Sequence, residues 1–243
     1  MSNALVTAID SMQNDMRQME TLSQNMVNIS TPGYRRAIPS ASAPGFERAL
    51  AAAQPGAPAQ AAQAARSLAV DLSHGAVKQT GRAWDLAIDG DGYFELATPE
   101  GPVYTRAGDF ALDARGRLVS QSGYAVQGTE GEIVLDGSAA SIARDGRITQ
   151  DGREVGQLRI VRFANAAALE RSSAGALRAV AGAAGEIDPR AQLLSGHLEG
   201  SNVAPMREMV AMLQTTRHFE SAQKLYQGYD EMLGSAIQKL GQF

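Results

Sequence analysis

Near the start of the chain, apolar side chains recur at Leu5, Ile9, Met12, Met16, Met19, Leu22, Met26 and Ile29. The steps alternate mainly between four and three, the period of an amphipathic helix with a narrow apolar stripe. Asp10, Gln13, Asn14, Arg17 and Gln18 flank the stripe, which suits a coiled-coil seam better than a broad globular face. Pro32-Gly33 is the first helix-breaking pair and should end the helix. The far end of the chain is similar. From Pro205, well placed in a first turn, the apolar positions are Met206, Val210, Leu213, Phe219, Leu225, Tyr226, Tyr229, Leu233, Ile237 and Leu240. That helix would be roughly 50 Å long at about 1.5 Å per residue.

Between these ends the pattern changes twice. Residues 38–69 hold Pro39, Pro44, Pro55 and Pro58 among alanine and glutamine runs, with few large apolar groups to offset the entropy of ordering. They read as a linker or extension. Residues 70–199 alternate in short runs such as Leu86-Ala87-Ile88, Tyr93-Phe94-Glu95-Leu96, Tyr124-Ala125-Val126 and Leu158 to Phe163. Asp89-Gly90-Asp91-Gly92, Ala114-Arg115-Gly116, Asp145-Gly146 and Asp151-Gly152 punctuate them as turns. The fold class expected is α+β: terminal amphipathic helices around a central all-β domain built from hairpins.

Composition removes most chemistry. There is no cysteine, hence no disulfide, thiol catalysis or cysteine zinc site. A net charge of −4 in 243 residues points to neither nucleic acid nor an anionic membrane as partner. No stretch has the length and apolarity of a membrane span. Met1 to Val6 show no basic region and no long apolar run, so no cleavable signal is expected and composition alone implies the cytosol. Phosphate-loop, GxGxxG, HExxH and GxSxG motifs are missing, and His74, His197 and His218 are widely separated. Asp85 to Gly92 is the one metal-like string, but strand-like Tyr93 and Phe94 follow it and Asp-Gly is turn chemistry; it is read as a turn. Trp84, Tyr93, Phe94 and Tyr104 are read as core aromatics rather than a stacking platform. Neither catalytic, metal nor cofactor residues are assigned.

Asn28-Ile29-Ser30-Thr31-Pro32-Gly33-Tyr34-Arg35, closing the first helix, resembles the signature of the flagellar rod and hook proteins. Asp85 to Phe94, Tyr104-Thr105-Arg106-Ala107-Gly108-Asp109-Phe110 and Leu198-Glu199-Gly200-Ser201-Asn202-Val203 resemble that family's central and C-terminal motifs, in the family's order and across nearly the whole chain. The motif residues singled out are Asn28, Thr31, Pro32, Gly33, Asp85, Gly90, Gly92, Glu199, Ser201 and Asn202. Asn202 to Pro205 and Arg217 to Glu220 look most like the proximal rod members, with the distal rod members the near alternative.

The resemblance implies a structural subunit of the flagellar basal-body rod, a self-assembling drive shaft needed for motility, and no enzyme. Residues 1–37 and 200–243 would pair as an axial coiled coil and 70–199 would form an outer β domain. The implied assembly interface is Leu5, Ile9, Met12, Met16, Met19, Met26, Leu213, Phe219, Tyr226, Leu233, Ile237 and Leu240. Implied partners are other rod subunits, copies of itself and the flagellar type III export apparatus, with the N-terminal segment as export address; nucleic acid, membrane insertion and small-molecule ligands are not expected. A different class stays open: a periplasmic or surface β-domain binding module whose terminal helices serve only for oligomerisation.

Overall fold

The computed structural model describes residues 2–38, 69–136, 140–164, 169–172, 176–180, 183 and 185–240, side chains at both termini and a few other positions excepted. The linker expected at 38–69 lies almost wholly outside them. The chain divides into two compact units, a helical one built from 1–27, 37–66 and 204–243, and a β unit built from 28–36 and 67–203.

The helical unit holds α1 (Ser2–Val27) and α2 (Pro205–Leu240). Both are free of internal proline. Pro205 opens α2, where its missing N–H costs nothing, and Ala204 O accepts from Arg207 N and Glu208 N at 3.0 and 3.2 Å. The helices run antiparallel: Asn25 meets Glu208, Met19 meets Thr216 and Asp15 meets His218.

Among the described residues the strand pairs of the β unit are antiparallel, and many are hairpins. Its main sheet orders the strands Leu169–Arg171, Leu177–Ala179, Gly101–Thr105, Tyr93–Thr98, Ala125–Gly128, Leu118–Val119 and Ala111–Leu112, with shorter strands branching from it. A three-stranded meander covers 140–157. Asp151 and Gly152 both take positive φ, 50° and 77°, joining Gln150 to Arg153. A two-residue loop of that kind matches the twist of its strands. The core comprises Leu86, Ile88, Phe94, Leu96, Phe110, Leu118, Val126, Ile148 and Leu193, among others. Phe94 and Phe110 meet edge to face at 5.0 Å between centroids, and Trp84 packs against the cluster. The aromatic residues therefore serve packing, as their alternation indicated.

Asp89 to Gly92 does form a turn, but not a hairpin. Strand Leu86–Asp89 pairs with Gln192–Ser195, whereas Tyr93–Thr98 belongs to the main sheet. The turn is a corner between sheets, and Gly90 and Gly92 take φ of 103° and 128° to make it.

Candidate functional site

In the helical unit the seam between α1 and α2 is narrow and partly polar. On α1 the inward positions are Ala8, Met12, Asp15, Met19, Leu22 and Asn25, with Leu22 and Asn25 fully buried. On α2 they are Glu208, Met212, Thr215, Phe219, Ala222 and Tyr229. Asn25 is the best-satisfied residue there. Its Oδ1 accepts from Ala37 N at 2.8 Å, and its Nδ2 donates to Ala37 O at 2.9 Å and to Glu208 Oε2 at 3.0 Å. Asp15 Oδ2 lies 2.7 Å from His218 Nδ1.

The interface residues named from sequence separate into distinct groups. Ile9, Met12, Met19, Met26 and Phe219 are half-buried. Met16, at 58% exposure, stands outside the seam, where Asp15 takes the inward position. Leu213, at 61%, points away from α1, and Tyr226 is exposed at the seam's edge. Leu5, Leu233, Ile237 and Leu240 have helical backbone, but their side chains lie outside the described residues. Met206, Met209 and Val210 join Leu213 in an exposed apolar row on α2.

In the β unit, residues from the quoted strings meet around one buried carboxylate. Glu199, 1% exposed, pairs with Arg35 Nη2 at 2.7 Å and Arg106 Nη1 at 3.1 Å; Gly75 N donates to its Oε1 at 2.9 Å. Arg106 also donates to Gly90 O at 2.5 Å and Ile88 O at 3.4 Å. Two carbonyls of the Asp85 to Gly92 string thus accept from a guanidinium. Burial lowers the Arg106 pKa, and the Glu199 carboxylate works against that shift. Tyr93, with Arg106 5.4 Å from its ring centroid, has its phenol pushed up by burial.

Asn202 closes the arrangement. Its Oδ1 accepts from Arg36 N at 2.6 Å, and its Nδ2 donates to Asp71 O at 2.8 Å and Ser73 O at 3.0 Å. Gly33 N donates to Glu199 O at 2.8 Å, and Asn202 N to Tyr34 O at 3.3 Å. A Cβ on Gly33 would sit 2.1 Å from Ala107 N, so only glycine permits the approach. Thr31 Oγ1 donates to Asn28 Oδ1 at 3.1 Å, while Thr31 N and Tyr34 N bond back to Asn28 O and Thr31 O, making consecutive turns across Pro32. Asp85, 1% exposed, accepts through its carbonyl from Gly196 N at 2.8 Å. Ser201 Oγ accepts from Val203 N at 3.2 Å. Gly33, Asp85, Glu199 and Asn202 therefore join distant segments of one fold, while Asn28, Thr31 and Ser201 shape local turns.

Asn25, Glu208, Arg35 and Arg106 were not singled out from sequence. A polar residue at an inward heptad position is the signal that marks the first pair. Arg35 and Arg106 stand inside the quoted strings, but their convergence on Glu199 is tertiary.

Residues 87–152 match the model of the flagellar hook protein FlgE/F/G D1 domain, and 194–239 that of the flagellar basal body rod FlgEFG protein C-terminal region. The chain is 34% identical to the flagellar basal-body rod protein FlgG of Bacillus subtilis, over 98% of each chain. It is 32% identical to the rod protein FlgF of Salmonella typhimurium and 30% to that of Escherichia coli, over 99% of each chain. The chain belongs to the flagellar basal-body rod family and is a structural subunit of the rod, not an enzyme.

Proposed function

We propose that the chain builds the rod through its terminal helices, α1 and α2 pairing as an antiparallel coiled coil and the outward faces packing on neighbouring subunits. The observation carrying this reading is the exposed row of Met206, Met209, Val210 and Leu213 on a helix whose opposite face is already occupied by α1. Apolar side chains aligned along one face of a paired helix mark a contact surface. Contacts of this kind that do not close on themselves extend into a helical tube. The proximal rod place rests on the likeness of residues 202–205 and 217–220 to the proximal members, and delivery through the type III export apparatus rests on family likeness.

The test is a Val210→Asp/Leu213→Asp chain expressed in a host lacking the native gene. The expected result is loss of motility, basal bodies arrested at an incomplete rod, and an unchanged circular dichroism spectrum for the purified variant. Normal rods and swimming in that host would overturn assembly through this face.

A further inference from the structure

The helical unit carries two apolar features directed away from the centre of the seam, and they differ in shape. One is the row Met206, Val210 and Leu213, exposed at 73%, 51% and 61%. The other is a groove of about 450 Å³ lined by Ala8 of α1 and by Lys224, Leu225, Tyr226, Tyr229 and Met232 of α2. At 3.6 residues per turn the row and the groove lie roughly a quarter-turn apart around α2 and about 28 Å apart along it. Their charged surroundings differ in balance. Arg207 and Arg217 are exposed beside the row, while Asp230 and Glu231 are exposed beside the groove, with Lys224 on its wall.

We propose that the groove receives the Met206–Val210–Leu213 row of a second copy, joining copies head to tail along α2. This rests on the assembly reading above and adds which face meets which. Flexible methionine side chains suit a groove of irregular shape, and the arginines beside the row meet the carboxylates beside the groove. Two copies that each gave a row and a groove to the other would close as a two-fold dimer; the contact proposed instead joins each copy to two neighbours and stays open.

The chain has no native cysteine, so introduced thiols report the contact without background. Leu213→Cys and Met232→Cys stand about 28 Å apart on one helix, far beyond disulfide reach, so any bridge between them joins two molecules. In the full-length chain, the double variant is expected to give a ladder of dimers, trimers and higher species on mild oxidation. An equimolar mixture of the two single variants should stop at dimers, and each single variant should stay monomeric. A single variant that dimerises with itself, or a double variant without a ladder at any concentration, overturns the proposal. Failure here combined with arrested rods in the Val210→Asp/Leu213→Asp strain would leave assembly through the helices standing and remove only this docking.

Discussion

Glu199 holds two guanidinium groups and a peptide N–H at a point that water does not reach. Removing one partner of a buried ion pair is costly because the other charges lose their compensation. Glu199→Gln, which keeps the shape, is expected to cost about 3 kcal/mol, read as a lower urea midpoint at unchanged slope. Gly33 and Gly81 give a cleaner comparison, since both take positive φ, 65° and 75°. A Cβ on Gly81 meets nothing within 4 Å, whereas one on Gly33 would strike the backbone at residues 106 and 107. Gly81→Ala should cost about 1 kcal/mol of backbone strain, and Gly33→Ala about 3 kcal/mol or more, the excess measuring the close approach.

At the scale of helices, Asn25 and Met16 should respond to substitution by very different amounts. Asn25→Ala removes hydrogen bonds to Ala37 and a donor to buried Glu208, at an expected cost of about 2 kcal/mol in the purified monomer. Met16→Ala should change monomer stability by less than about 0.5 kcal/mol, because the side chain is exposed. Thermal unfolding of the two variants side by side checks both. The contrast also shows how far the sequence was legible. Three-four spacing located both helices, and turn chemistry marked the β unit and its hairpins. The spacing found part of each inward face, Met12, Met19 and Leu22 on α1 and Phe219 and Tyr229 on α2, and missed the polar members because it was followed through apolar residues only. On α2 the apolar row Met206, Val210 and Leu213 faces outward, while Glu208, Thr215 and Ala222 lie inward, small or hydrogen-bonded side chains being what a close helix pair accepts. Periodicity records that a residue is shielded somewhere, not by which chain. His218 beside Asp15 and Arg106 beside Glu199 lie 203 and 93 residues apart in sequence, a separation that no local pattern spans.

For the whole β unit, the acid limb of its stability should be set in part by its turns. Backbone N–H groups of Arg117 and Arg147 hold the carboxyls of Asp113 and Asp145 below the usual range. Depressed carboxyls contribute stability above their unfolded value of about 3.9 and lose it as pH falls through the lower folded value. Burial acts oppositely on Asp109, raising its pKa. That group costs stability at neutral pH, and the cost fades as pH falls through its raised folded value and is gone below the unfolded one. Asp113→Asn/Asp145→Asn should therefore weaken the fold at pH 7 and flatten its acid limb. Asp109→Asn should strengthen the fold at pH 7, with the gain vanishing under acid; urea titrations across the range distinguish them. The bonds from Gly33 N to Glu199 O and from Asn202 N to Tyr34 O have a mechanical meaning as well. They splice the incoming and outgoing segments side by side, so tension applied to those segments crosses the splice as shear. The long excursion between them is bypassed, and its hairpins are free to lengthen or shorten without altering the path of the force.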